Sequence, residues 1–283
     1  MKLIRPFLFV LIVALFLGST THKGNLSCRE IIEHMLDSIK NISTQACSVK
    51  ATERIGSHLL IAQSYIKLNM NPRKIYFHSP AKGAELLWVE GSNKGNATVH
   101  TRSLPLMNFD LDPYGSIIRK DQHHTIFELG STYIGITIAN TILKAPKDFD
   151  KHFTYAGMLT WNNKECYQII VSYPDYKYIE YTTIKGETVT SIAKKLNTSD
   201  YKIRYKNDLS SYFGSIKEGK KLTIPIPYSN KAIMLVDKKT FIPISITVYD
   251  EEGLYEAYEF TSMRINPTFK SDEFLKSFKE YGF

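Results

Sequence analysis

The sequence predicts an α+β fold: an antiparallel β-sheet with helices, interrupted by a small βααβ unit over residues 181–226. Three observations carry this. Beyond Cys47, apolar and polar residues alternate in short runs bounded by turn residues, the period-two signature of half-buried strands. Over residues 27–42 the apolar positions fall three to four apart, as on one face of a helix. Within residues 181–226 the period changes from two to helical and back to two, so a separate unit lies inside the sheet's sequence. A chain of 283 residues has room for one sizeable domain and one small one.

Taken in order, Lys2 and Arg5 precede an apolar run at 7–17, followed by small and polar residues at 18–21. This is the order of a secretory signal peptide, with cleavage expected near 19–21. The run is shorter than the ~20 residues of a membrane helix, so no stable span is expected after cleavage. An uncleaved anchor is the alternative. Cys28 lies too far past the apolar run for a lipoprotein site. The compartment implied is outside the cytoplasm, in a periplasm or cell envelope.

The helix expected at 27–42 carries Ile31, Ile32, Met35, Leu36 and Ile39 on one face. Strands follow at 65–70, at Ile75 and Phe77 after an Asn71-Pro72 turn, at 84–89 and at 97–101. Residues 132–143, after Gly130-Ser131, form a largely apolar helix. A strand at 166–173, extended by 176–180, precedes the inserted unit. After it come strands at 233–236, 241–249 and 254–263, joined by tight turns at 237–240 and 251–253. Ile242, Ile244, Ile246 and Val248 are placed on one face of this meander. A last helix is expected at 272–280, capped by Ser271, with Phe274 and Phe278 one turn apart.

The inserted unit opens with a strand at 181–185, a turn at Gly186, and Thr188 placed to cap a helix carrying Val189, Ile192, Ala193 and Leu196. Ser199 or Asp200 caps a second helix with Ile203. Gly219 turns the chain into a strand with Leu222 and Ile224. This pattern resembles a LysM module, a βααβ domain that binds N-acetylglucosamine-containing glycans such as peptidoglycan. It departs at Glu187, where Asp is commoner, and at Lys206, usually apolar. The resemblance implies a shallow sugar groove between two loops, here Gly186, Glu187, Thr188 and Val189 on one side and Ile216, Lys217, Glu218 and Gly219 on the other. The unit holds nine Lys/Arg against four acidic residues, +5 of the chain's +8. That charge suits an anionic wall polymer, and equally an ordinary solvated surface. No nucleic-acid module accompanies it.

The surrounding sequence, including Pro72-Arg73-Lys74-Ile75-Tyr76, Leu111-Asp112-Pro113-Tyr114-Gly115 and Asp237 through Thr240, resembles the periplasmic lipoprotein-carrier (Lol-type) superfamily, in particular an uncharacterised branch of it. The resemblance implies a strongly curved antiparallel sheet, an open half-barrel with helices on its concave side, whose characterised members hold acyl chains or lipidated proteins. The domains expected are thus a signal peptide at 1–21, a carrier-like part at 22–180, the LysM domain at 181–226 and a second carrier-like part at 227–283. The insertion is expected to protrude from an edge of the sheet.

Asp121, Gln122, His123, His124 and Thr125 form the densest polar cluster. Asp121, His123 and His124 are of the types that bind metals or move protons. Were they on a strand, the adjacent histidines would point to opposite faces and could not share an ion, so a structural role is favoured. Cys28, Cys47 and Cys166 leave at least one thiol without an intrachain partner. Cys28 with Cys47 is the pair most open to bridging, against three buried free thiols. No Cys-x-x-Cys zinc pattern or catalytic triad is legible, and no cofactor or catalytic residue is expected. The function expected is an exported envelope protein whose module binds peptidoglycan and whose sheet binds a lipid, lipoprotein or other apolar partner. The alternatives are a wall-acting enzyme built on Asp121, His123 and His124, or an assembly factor without glycan binding.

Overall fold

A computed structural model describes residues 26–101 and 107–283. The segment expected to be a signal peptide, 1–21, lies outside the described residues. The chain begins with α1 (Cys28–Lys40), then β1 (Thr44–Ile55), β2 (His58–Met70), β3 (Arg73–Ser79), β4 (Ala84–Val89), β5 (Ala97–Thr101) and β6 (Asn108–Leu111). After α2 (Ser131–Lys144) and the single turn α3 (Phe149–His152) come β7 (Phe153–Trp161) and β8 (Lys164–Ser172). The inserted unit is β9 (Lys177–Thr182), α4 (Val189–Leu196), α5 (Asp200–Lys206) and β10 (Lys221–Ile226). The chain returns through β11 (Lys231–Asp237), β12 (Pro243–Asp250) and β13 (Gly253–Ile265). No helix among the described residues is long and apolar enough to cross a membrane.

Eleven strands make one antiparallel sheet in the order β6-β5-β4-β3-β2-β1-β13-β12-β11-β8-β7. The first and last strands pair at its centre, where Val49 faces Phe260 and Glu53 faces Glu256. The edge strands β6 and β7 do not pair, so the sheet is open rather than a closed barrel. Alternation decides what each face holds. Ile75, Leu86 and Met234 point to the face covered by α1 and α2, packing with Ile31, Met35 and Ile134 in the main core. Their neighbours Tyr76 and Leu87 point the other way, where Phe274 covers them.

Several expectations change here. The strand at 176–180 does not extend β8: as β9 it pairs with β10, Lys177 opposite Ile226 and Thr182 opposite Lys221. Ile244 leaves the face of Ile246 and Val248 for a cluster with Cys166 and Leu235. The β11–β12 register shifts between Leu235 and Val236, and such an irregularity re-aims the side chain beside it. Residues 272–280 are successive turns, not a helix; Leu275 N and Phe278 N donate three residues back, to Asp272 O and Leu275 O. The segment is shaped by docking Phe274 and Phe278 on the sheet rather than by its own period. All three cysteines are free, with no Cys28–Cys47 bridge. The sequence gives no clear period over β7, nor over the twisted hairpin ends around Gly56, and those strands emerge only in the structure.

α1 forms as expected, with Ser27 and Glu30 in a reciprocal capping box. The start of α2 is capped from outside. Gly130 stands before it at φ +81°, without a side chain to cap it. The buried Gln45 of β1 substitutes: its Oε1 accepts from Ser131 N at 3.1 Å and its Nε2 donates to Ser131 Oγ at 3.1 Å. A Cβ on Gly130 would lie 2.7 Å from Leu68 Cδ1 and 2.8 Å from Gln45 Oε1. Backbone strain and overlap therefore act in the same direction. Gly130→Ala is expected to destabilise the fold by at least about 1–3 kcal/mol, read as a lower urea midpoint at unchanged slope.

Candidate functional site

The face of the sheet that carries the helices encloses a cavity of about 700 Å³. Val49, Phe77 and Phe260 line it from the sheet and Ile134 and Ile138 from α2. Another wall comes from the inserted unit and its return connection, through Leu196, Ile226 and Tyr228. The unit does not protrude from the sheet; it folds back over it.

The docking is made by α5. At its N-terminus, Ser199 Oγ lies 2.7 Å from Tyr255 Oη of β13, and Asp200 receives Arg119 at 3.1 and 3.2 Å. One residue on, Tyr201 Oη accepts from the Gly56 N–H at 2.8 Å, and its ring lies over His123 at 4.5 Å. Lys202 then meets Asp250 at 2.8 Å, while its ammonium sits 3.9 Å above the Tyr255 ring. Arg54 closes on the same Asp250 carboxylate. The side chains of Lys202 and Asp250 are only 6% and 2% exposed, so both ions have left water and depend on each other. The helix presents these groups because its first turn faces the sheet while Ile203, on its other side, fills the unit's own core.

Within the cavity wall lies a polar network that joins residues far apart in sequence. Glu53 and Glu256 are direct cross-strand partners on β1 and β13, both buried. Tyr258 Oη donates to Glu53 and lies 3.4 Å from Glu256 Oε2. Tyr228 Oη donates to Glu256 Oε1 at 2.8 Å. His123 Nδ1 stands 2.7 Å from Glu256 Oε2 and its Nε2 stands 2.9 Å from Arg54 O, so both ring nitrogens face acceptors. His124 Nε2 is 3.4 Å from Glu256 Oε2 and its Nδ1 is 3.6 Å from Glu128 Oε2. Burial works against charge on His124, but the Glu256 and Glu128 carboxylates outweigh it and hold its pKa well above the ordinary imidazole value. Burial likewise raises the carboxyls, yet the histidines prevail: Glu256 is held far below the usual carboxylate range and Glu128 is lowered to about 2.

The two histidines meet on one carboxylate because their segment is a loop, not a strand; Asp121 before them takes φ +55°. The strand argument against a shared partner therefore does not apply. Asp121 itself is exposed at the cavity's rim. Sequence reading missed Glu53, Glu128, Glu256, Tyr228 and Tyr258. The signal available was a charged residue within a run of strand aromatics, Tyr255-Glu256-Ala257-Tyr258, where an unpaired burial would be costly.

The two loops expected to hold sugar are brought together at the far end of β9 and β10. Ile216 N donates to Glu187 O at 2.8 Å, Gly219 N to Thr183 O at 2.9 Å, and Thr183 Oγ1 to Lys217 O at 2.7 Å. Gly186 and Gly219 take φ +83° and +77°, the turn conformations their positions require. Gly186, Lys217, Glu218 and Gly219 are exposed, and Thr188 and Ile216 are half-buried. Val189 is fully buried in the unit's core, and Glu187 is taken up by Tyr181 Oη at 2.6 Å, Ile184 N at 3.0 Å and Lys195 at 3.2 Å. Thr188 and Ser191 cap α4 reciprocally, Ser199 caps α5, and Asn207 bonds Thr223 from both ends of its amide.

The family model described as "Protein of unknown function (DUF1571)" matches residues 43–185, just over half of the chain. The chain belongs to the DUF1571 family. A LysM domain model matches residues 181–225. The DUF1571 match runs from β1 through β9, while β11 to β13 complete its sheet from beyond the LysM domain. No curated protein matches the chain. Among solved structures the chain is similar to MucB, at 8% identity and TM-score 0.42, covering 87% of this chain and 62% of that one. It is also similar to the lipoprotein LppX of Mycobacterium tuberculosis, at 11% identity and TM-score 0.35, covering 86% and 97%. LprF of Mycobacterium bovis matches at 8% identity and TM-score 0.42, covering 86% and 94%. The chain thus spans about six-tenths of the length of the MucB chain it matches.

The contact between the DUF1571 sheet and α5 of the LysM domain has a defined pH signature. Burial raises the Asp250 carboxyl, but Arg54 and Lys202 more than offset this and lower it below its ordinary 3.8. A carboxyl depressed in the folded state contributes stability in full above its unfolded value and loses it as pH falls through the native one. Asp250→Asn, leaving Lys202 buried without a counter-ion, is expected to cost about 3–5 kcal/mol near pH 7. The difference from wild type should shrink below about pH 4, which denaturation series at several pH values would measure.

Proposed function

We propose that this is a non-enzymatic, exported cell-envelope binding protein, in which the LysM domain holds peptidoglycan or a related N-acetylglucosamine glycan and the DUF1571 sheet takes up a lipid, lipoprotein or other apolar partner. The observation that carries the reading is the cavity. About 700 Å³ lined mainly by aliphatic and aromatic side chains is the size and chemistry of a site for an apolar ligand or chain. Part of its wall belongs to a domain of a glycan-binding type. The expected signal peptide and the basic module are consistent with an envelope location and an anionic polymer. The exposed loop positions Gly186, Lys217, Glu218 and Gly219 are then the face offered to sugar, with Glu187 and Val189 shaping the loops from inside.

Deleting the LysM domain would open the cavity and strip partners from His123 and Tyr255, so point substitutions are the better test. Residues 22–283 should pellet with insoluble peptidoglycan and should bind a fluorescent fatty-acid analogue. Lys217→Tyr, a bulky change on the exposed loop, should reduce pelleting at least tenfold and leave the fatty-acid analogue bound. Ile138→Trp, which fills the cavity, should do the reverse. A wild-type protein that binds neither, or variants that fail to separate the two activities, would contradict the proposal.

A further inference from the structure

Glu53 and Glu256 lie directly opposite each other on neighbouring strands, in a wall of an apolar cavity. Like charges in that position repel, and burial in apolar surroundings makes each carboxylate more costly. Such a pair needs a positive partner beside it, which here is the His124 ring or a cation bound in exchange for its proton. One oxygen of each carboxylate and a ring nitrogen of His124 lie within 4.8 Å of one another, with His124 Nε2 already 3.4 Å from Glu256 Oε2. Four ligands at the bond lengths of a tetrahedral zinc ion are about 3.3 Å apart, so small side-chain movements would close the set. From this geometry we infer a binding site for one divalent transition-metal ion, of the zinc class, held by Glu53, His124 and Glu256 with one coordination position open to the cavity.

Two further features point to a ligand rather than to an incidental cluster. The first is support behind each donor. His124 presents Nε2 to the site while its Nδ1 faces Glu128 at 3.6 Å, the carboxylate–histidine arrangement that orients a metal-bound imidazole. Glu128 is fixed in turn by the Thr125 N–H at 2.7 Å. Glu256 is oriented by His123 and Tyr228, and the Tyr258 hydroxyl links Glu53 to the same centre. The second feature is placement. All three donors line the cavity, so the fourth position is reachable by water or by a ligand held there. The donor set of one imidazole and two carboxylates suits Zn²⁺ or Mn²⁺ better than soft ions. The site needs neither a bound glycan nor an apolar ligand to form.

The test uses untagged residues 22–283, stripped with chelator and titrated with Zn²⁺ and Mn²⁺ by calorimetry, with metal content after dialysis measured by mass spectrometry. One ion per chain is expected. Glu53→Gln and His124→Ala should each weaken binding at least tenfold, and Glu128→Gln, acting through His124, about tenfold. His58→Ala, an exposed histidine on the β1–β2 hairpin, should change nothing. Circular dichroism identifies any variant that fails to fold. The wild-type protein gives a second, mutation-free reading: Co²⁺ in the site should show the intense visible bands of a four-coordinate centre. Absence of a stoichiometric ion, a Co²⁺ spectrum like that of the hydrated ion, or binding unchanged in folded Glu53→Gln and His124→Ala proteins would each overturn the inference.

Discussion

The docking of α5 on the sheet is the constraint from which much of the architecture follows. A LysM domain tethered at both ends could sit anywhere its two short connections allow. Here the buried Lys202–Asp250–Arg54 group and the Arg119–Asp200 pair fix one position. Coulomb attraction between such ions is strong only because water is excluded, and water is excluded because the Tyr255 ring packs on Lys202 and Arg54 and the Tyr212 ring on Arg119. The geometry is therefore all-or-none. Once α5 is seated, Leu196, Ile226 and Tyr228 become cavity wall, and His123 is clamped between the rings of Tyr201 and Tyr255. The clamped ring holds Glu256, and Glu256 organises the remaining polar groups. A glycan-type domain and a ligand-type cavity thus share one continuous set of contacts.

Local chemistry was well expressed in the sequence wherever an element's own residues determine it. The helix with Ile31, Met35 and Ile39, the cap at Thr188, the turns at Gly186 and Gly219 and the aspartate turn at Asp237 all follow from propensity and period. The placing of the insertion between two paired strands was legible too, because β8 and β11 are neighbours in the sheet. What the sequence could not express was arrangement across distance. The spacing of Phe274 and Phe278 predicts a helix at the C-terminus, yet Phe274 packs on Tyr76 and Leu87 and the Phe278 ring lies under Lys67 of β2, and the backbone follows them. At Ile244 one register shift reverses an alternation that the residues alone predict to continue.

The polar centre shows the same limit more sharply. His123 and His124 are conspicuous as a cluster, but their distant partners come from β1 and β13. Assigning them to a strand separated them; a loop brings both to Glu256. Asp121, adjacent in sequence, stays outside, whereas Glu53 and Glu256, 70 and 133 residues from His123, are its real neighbours. Chemistry-bearing residue types can be found by reading along the chain, but which of them act together is a property of strand register.

The most direct test of the account is native-state hydrogen exchange at the amides of α5, above all Ile203, which donates to Ser199 O. If the LysM domain is an integral wall of the cavity, this amide should exchange only with the global opening that also exposes β13. Asp250→Asn should then lower its protection by the same factor as that of β13. Exchange of Ile203 through a separate, easier opening, while β13 stays fully protected, would show a domain that folds alone and rests loosely on the sheet. That result would contradict the docking on which the cavity and its polar centre depend.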